Sequence, residues 1–214
     1  IFIEFPENKK FHINVAKTFL RKLCEASETE KETEILGYLC HGIRDTIKEV
    51  KTSFMSEDEV NEMCKKCIEM INKSDKRKKI NEDYTNENVN TQGDNVDYQD
   101  VELMEEENEN EDEFQIAISE IFGALFQTHT MYCGKLCETL FHDMLPYYLK
   151  DDAPNIKKRF SLYIIVDMIE HLGYTYIKDQ FDDCMKYLLL YAQSENTVLR
   201  QSACYGIGMA AVHC

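Results

Sequence analysis

Apolar residues return at every third or fourth position through most of this chain, the spacing that lays one buried stripe along an α-helix. Lys10 to Ala26 carries Phe11, Val15, Phe19 and Leu23, and Glu30 to about Lys51 carries Ile35, Leu39, Ile43, Ile47 and Val50. Ser56, with Glu59 three residues on, forms a capping box. It opens a helix whose stripe is Val60, Met63, Cys64, Cys67, Ile68 and Ile71. The period returns over Glu113–Thr128 (Phe114, Ile118, Ile121, Phe122, Leu125, Phe126) and Cys133–Leu149 (Leu136, Leu140, Phe141, Met144, Leu145, Tyr148). Pro154, a residue suited to a helix's first turn, leads into a run ending at Leu172; Tyr176–Ala192 and Thr197–His213 complete the set. No strand-like alternation appears, which argues against α/β enzyme folds.

The helices repeat one another. Arg159 precedes Leu162, Val166 and Ile169, and Arg200 precedes Ala203, Ile207 and Ala210 at a shared offset. That offset falls near the period of two-helix stacking units, roughly 40–47 residues. The predicted fold is therefore all-α: an α-solenoid of about four antiparallel helix pairs, near residues 10–52, 56–129, 131–173 and 174–213. The two arginines are expected to bond carbonyls or carboxylates of the next unit. The leading residues Ile1–Pro6 lack the layout of a secretion signal, and Cys214 directly follows an apolar helix rather than a polar cap. The sequence reads as a segment of a longer protein.

Charge changes the picture in one place. The net charge is −16, yet 14 acidic residues and no Lys or Arg fall within 81–113, leaving 24 basic and 26 acidic residues elsewhere. Residues 81–112 therefore read as an acidic, low-complexity and mobile insertion inside the second pair, with Val101–Glu111 able to continue the following helix. Its candidate partner contacts are Asp94, Asp97, Asp100, Glu102, Glu105, Glu106, Glu107, Glu109, Glu111, Asp112 and Glu113. Such a field steers basic partners and repels nucleic acid and anionic membranes; the plainer alternative is a solvated linker. The preceding Lys76-Arg77-Lys78-Lys79 matches a nuclear-localisation pattern. Compensation of the adjacent acidic block explains it more simply.

Other motifs carry little chemistry. Nine cysteines, an odd number placed mostly on apolar faces, point to reduced buried thiols. Cys64-x-x-Cys67 lacks the second pair of a zinc ribbon, and His129, Cys133 and Cys137 are broken by Gly134. Gly206-x-Gly208 has no strand before it and no phosphate-binding lysine after it. No metal, cofactor or catalytic group is expected. No apolar run approaches the roughly 20 residues that span a bilayer.

Ser194 to Ala211 (SENTVLRQSACYGIGMAA), a polar turn followed by apolar-Arg, small residues and an apolar-Gly step, resembles the second helix of a HEAT repeat. Together with Ile165 to His171 and the acidic segment running into Glu113-Phe114, it is similar to the importin-five branch of the karyopherin-β nuclear transport receptors. That resemblance implies a HEAT-repeat receptor without enzymatic activity, shuttling between cytoplasm and nucleus. It implies basic protein cargo on the inner face, partial contact with the GTPase Ran, and nucleoporins as further partners. Asp167, Glu170, Gln201 and Tyr205 would be inner-face contacts. The rival is a structural HEAT scaffold of a multiprotein complex, with no Ran cycle.

Overall fold

A computed structural model describes residues 9–90 and 98–214, and among them the chain is helical with no strand. Helices α1 (Lys9–Thr29) and α2 (Thr33–Val50) form one antiparallel pair. The second comprises α3 (Glu57–Asn90) and α4 (Tyr98–Thr128). The third joins α5 (Gly134–Thr139), a π turn over Leu140–Met144 and α6 (Leu145–Tyr148) to α7 (Asn155–Asp167), itself prolonged by a π turn over Met168–Leu172. The fourth sets α8 (Tyr174–Ile177) and α9 (Phe181–Tyr191) against α10 (Thr197–His213).

The pairs stack in chain order into two layers. The second helices α2, α4, α7 and α10 pack one against the next in an unbroken row, whereas the first helices touch their row neighbours only sparingly. A layer packed closely beside a splayed one bends the stack toward the close side. The core follows from that row. Helix α4 lies among α2, α3 and α7, so from Phe114 onward it is apolar over most of its circumference, burying Phe114, Ile118, Ile121, Phe122, Leu125 and Phe126. Each such side chain contributes about 1.5–3 kcal/mol of transfer free energy. Where a helix must approach closely, glycine makes the room: a Cβ on Gly206 of α10 would lie 2.8 Å from both Leu188 Cδ2 and Val166 Cγ2.

Local signals act as read. Ser56 N–H donates to Glu59 Oε2 (2.7 Å) and Glu59 N–H to Ser56 Oγ (3.3 Å), closing the capping box at the start of α3. Asn196 Oδ1 caps α10 by accepting from Val198 and Leu199 N–H. The π turn in the third pair precedes Pro146, whose ring has no N–H to give and crowds the preceding turn, so the ladder shifts.

Several expectations need correction. On α1 the buried line is Ala16, Leu20 and Cys24, while Phe11 is 65% and Phe19 is 56% exposed. As the end helix, α1 has α2 as its main packing partner, and its smaller side chains allow the closer approach. The described part of the acidic insertion is helical: α3 runs on to Asn90, and α4 begins at Tyr98. The two helices zip together through polar pairs, Arg77 to Glu111 (Nη2 to Oε2, 2.9 Å), Lys78 to Asp112, and Asn81 Nδ2 to Asn108 Oδ1 (3.1 Å). Two members of the basic cluster, Arg77 and Lys78, are thus compensated within the hairpin. Arg159 and Arg200 do not bridge units. Arg200 Nη1 donates to the Ser194 and Glu195 carbonyls at the start of its own helix (2.6 and 3.3 Å), and Arg159 lies over Tyr163 one turn along. The 174–192 segment is broken between α8 and α9.

Candidate functional site: a groove along the second helices

The row of second helices places polar residues of four helices around one groove of about 690 Å³. Helix α2 supplies Arg44, Asp45 and Lys48, α4 supplies Ser119 and Glu120, α7 supplies Tyr163 and Asp167, and α10 supplies Gln201, Ser202 and Tyr205. Periodicity causes this arrangement: each helix turns its apolar stripe into the stack and is left with a polar edge on the open side.

Most of its charges are paired. Arg44 bonds both Glu120 and Asp45, the latter at 2.7 Å, and His41 Nε2 lies 3.6 Å from Glu120. Tyr205 Oη donates to Glu170 Oε2 at 3.0 Å. Asp167 differs: among the described residues it has neither a hydrogen bond nor an ion pair. Its carboxylate nests over Gly123 of α4, where a methyl group would overlap Oδ2 and come within 2.9 Å of Cγ. Burial pushes its pKa up to about 7, with Glu170 and Glu120 adding to the rise and Lys48 opposing it. Desolvation disfavours the charged form, and like charges nearby reinforce that.

Three of the inner-face candidates, Asp167, Gln201 and Tyr205, line this groove, and Glu170 is held at its edge by Tyr205. Sequence reasoning missed Arg44, Asp45, Lys48 and Glu120, which lie on the polar faces of α2 and α4. It also missed Gly123, whose only signal was a glycine inside an otherwise apolar helix.

The acidic hairpin is the second charged surface. Asp94 and Asp97 lie outside the described residues. Asp100, Glu102, Glu105, Glu106, Glu107, Glu109 and Glu113 are exposed, with Asp100 accepting from Tyr84 Oη at 3.3 Å. Asp112 is bonded to Lys78. Glu111 is the correction: it is 1% exposed and its carboxylate is held by Arg77 and by Thr33 Oγ1 at 2.9 Å, so it presents nothing to a partner.

Seven of the nine cysteines are buried, and among the described residues no three or more His, Cys, Asp or Glu converge as metal ligands. Among the same residues no helix is long and apolar enough to cross a membrane.

The architecture is that of an α-helical solenoid of stacked helix pairs. The chain superposes with a TM-score of 0.66 and 19% identity on a solved structure, the karyopherin Kap121p bound to the SUMO protease Ulp1p. The match covers 94% of this chain and 17% of that one, so the chain spans about a sixth of its structural neighbour. No protein-family model matches the sequence. No curated protein matches it either.

Proposed function

We propose that this chain is a cargo-contacting segment of a nuclear import receptor of the importin-five kind, holding basic protein segments in the groove of the second helices. The observation that carries the reading is the convergence of Asp45, Glu120, Asp167 and Glu170 along that groove, in a fold shared with a karyopherin solved with a bound SUMO protease. Carboxylates lining a concave surface raise the local concentration of cationic segments and speed their capture. The exposed acids of the α3–α4 hairpin extend that field toward incoming cargo. Release by Ran-GTP, contact with nucleoporins and residence in both cytoplasm and nucleus follow from the same reading, and belong to the whole receptor.

The test is fluorescence anisotropy with a labelled lysine-rich peptide. Asp45→Lys combined with Glu170→Lys is expected to weaken binding at least about tenfold at low salt, since like charges across an interface cost several kcal/mol. Binding that ignores these reversals, or no binding by the unaltered protein, would defeat the proposal.

A further inference from the structure

We propose that a cationic side chain entering the groove docks on the Asp167 carboxylate and displaces a proton from it, so that capture of basic segments is proton-linked. The inference rests on the groove reading above and concerns how that groove is regulated.

Geometry carries it first. Asp167 is the groove carboxylate without a partner among the described residues, for Glu120 is held by Arg44 and Glu170 by Tyr205. Its position is built rather than incidental. Gly123 leaves a notch in α4 that admits the carboxylate, and no larger residue there would let it lie so close to the helix. The groups around it are Arg44, Asp45 and Lys48 from α2, Ser119 and Glu120 from α4, Tyr163 from α7 with Glu170 on the π turn that follows it, and Gln201, Ser202 and Tyr205 from α10. Among the cations, Arg44 is committed to Glu120 and Asp45. Lys48 opposes the rise in the Asp167 pKa but makes no ion pair with it.

With its pKa near 7, the carboxyl of the empty groove carries a proton about half the time at neutral pH. A lysine or arginine brought against it favours the ionised form. The balance is then simple: the cation takes the place of one carboxyl proton, which passes to the buffer, and no covalent bond is made. Bound cation and bound proton compete for one oxygen pair.

The experiment is calorimetric titration of a lysine-rich peptide into the protein at pH 6, 7 and 8, each in two buffers of different ionisation enthalpy. Affinity should fall about tenfold from pH 8 to pH 6, with proton release at pH 6–7 reported by the difference in heats between buffers. Asp167→Asn should remove most of the pH dependence and the proton release. Peptide binding with unchanged affinity and no buffer-dependent heat would overturn the proton linkage while leaving the groove reading intact. No binding at any pH would overturn both.

Discussion

Arg77→Met is expected to lower the stability of the chain by about 3 kcal/mol, while Glu111→Gln costs clearly less. The asymmetry comes from burial. Glu111 is 1% exposed, whereas the Arg77 side chain is 36% exposed and also lies over Phe114 at 5.9 Å. Removing the arginine strands a carboxylate inside the fold with Thr33 Oγ1 alone as its partner. Breaking a buried pair by deleting one member typically costs about 3–5 kcal/mol. Removing the carboxylate's charge instead leaves an arginine that reaches water. The pair also joins three elements, because Thr33 begins α2, Arg77 sits on α3 and Glu111 on α4. The thermal midpoint of the far-ultraviolet helix signal should therefore drop roughly 6–12 °C in Arg77→Met, at about 2–4 °C per kcal/mol for a chain of this size. Equal shifts for the two variants would show that the bond is not buried as described.

The second large effect is acid sensitivity hidden by an opposing group. His129 is 1% exposed; its Nε2 accepts from the Phe54 and Met55 backbone N–H groups at 3.1 Å each, and its Nδ1 lies 2.7 Å from Thr128 Oγ1. An imidazole that accepts at Nε2 is neutral, with its proton on Nδ1. Burial pushes its pKa down to about 4 from 6.5. A depressed histidine contributes stability that is complete above pH 6.5 and lost as pH falls toward 4, about 3 kcal/mol in full. Asp167 has the opposite sign. Its pKa is raised, so its cost is relieved as pH falls below 7 toward the unfolded value near 3.8. Between pH 6.5 and 5 each changes by about 2 kcal/mol in opposite directions. The wild-type urea midpoint should therefore stay nearly level across that window. Asp167→Asn should be the more stable at pH 8, yet lose about 2 kcal/mol on acidification to pH 5. A level profile in Asp167→Asn would refute the neutral, buried histidine.

Much of the fold was legible because stacked helices leave a clean period. Thr197–His213 was bounded by the polar turn that begins at Ser194, and Ser56 with Glu59 announced α3 by the pairing that forms. The α3–α4 hairpin was not legible, because its helices hold together through Arg77, Lys78 and Asn81 against Glu111, Asp112 and Asn108. Composition reads those residues as solvated, and only pairing at a separation of about 30 residues reveals the register. Phe11, Val15 and Phe19 misled for another reason: α1 offers two adjacent apolar lines, and packing on α2 selects the slimmer one. At the groove, Asp167 and Gln201 were reached only through the resemblance of their helices to the inner helices of a HEAT-repeat receptor. The notch at Gly123 that seats Asp167 was not, since nothing in one helix records what a neighbour inserts into it.

The claim on which the rest depends is that the layer of second helices forms the surface that receives basic segments. Crosslinking with a lysine-rich peptide carrying a photoreactive diazirine, followed by mass spectrometry of the adducts, tests it directly. Adducts should fall on the groove-facing residues of α2, α4, α7 and α10. Adducts confined to α1, α5 and α9, or to the acidic hairpin alone, would contradict it.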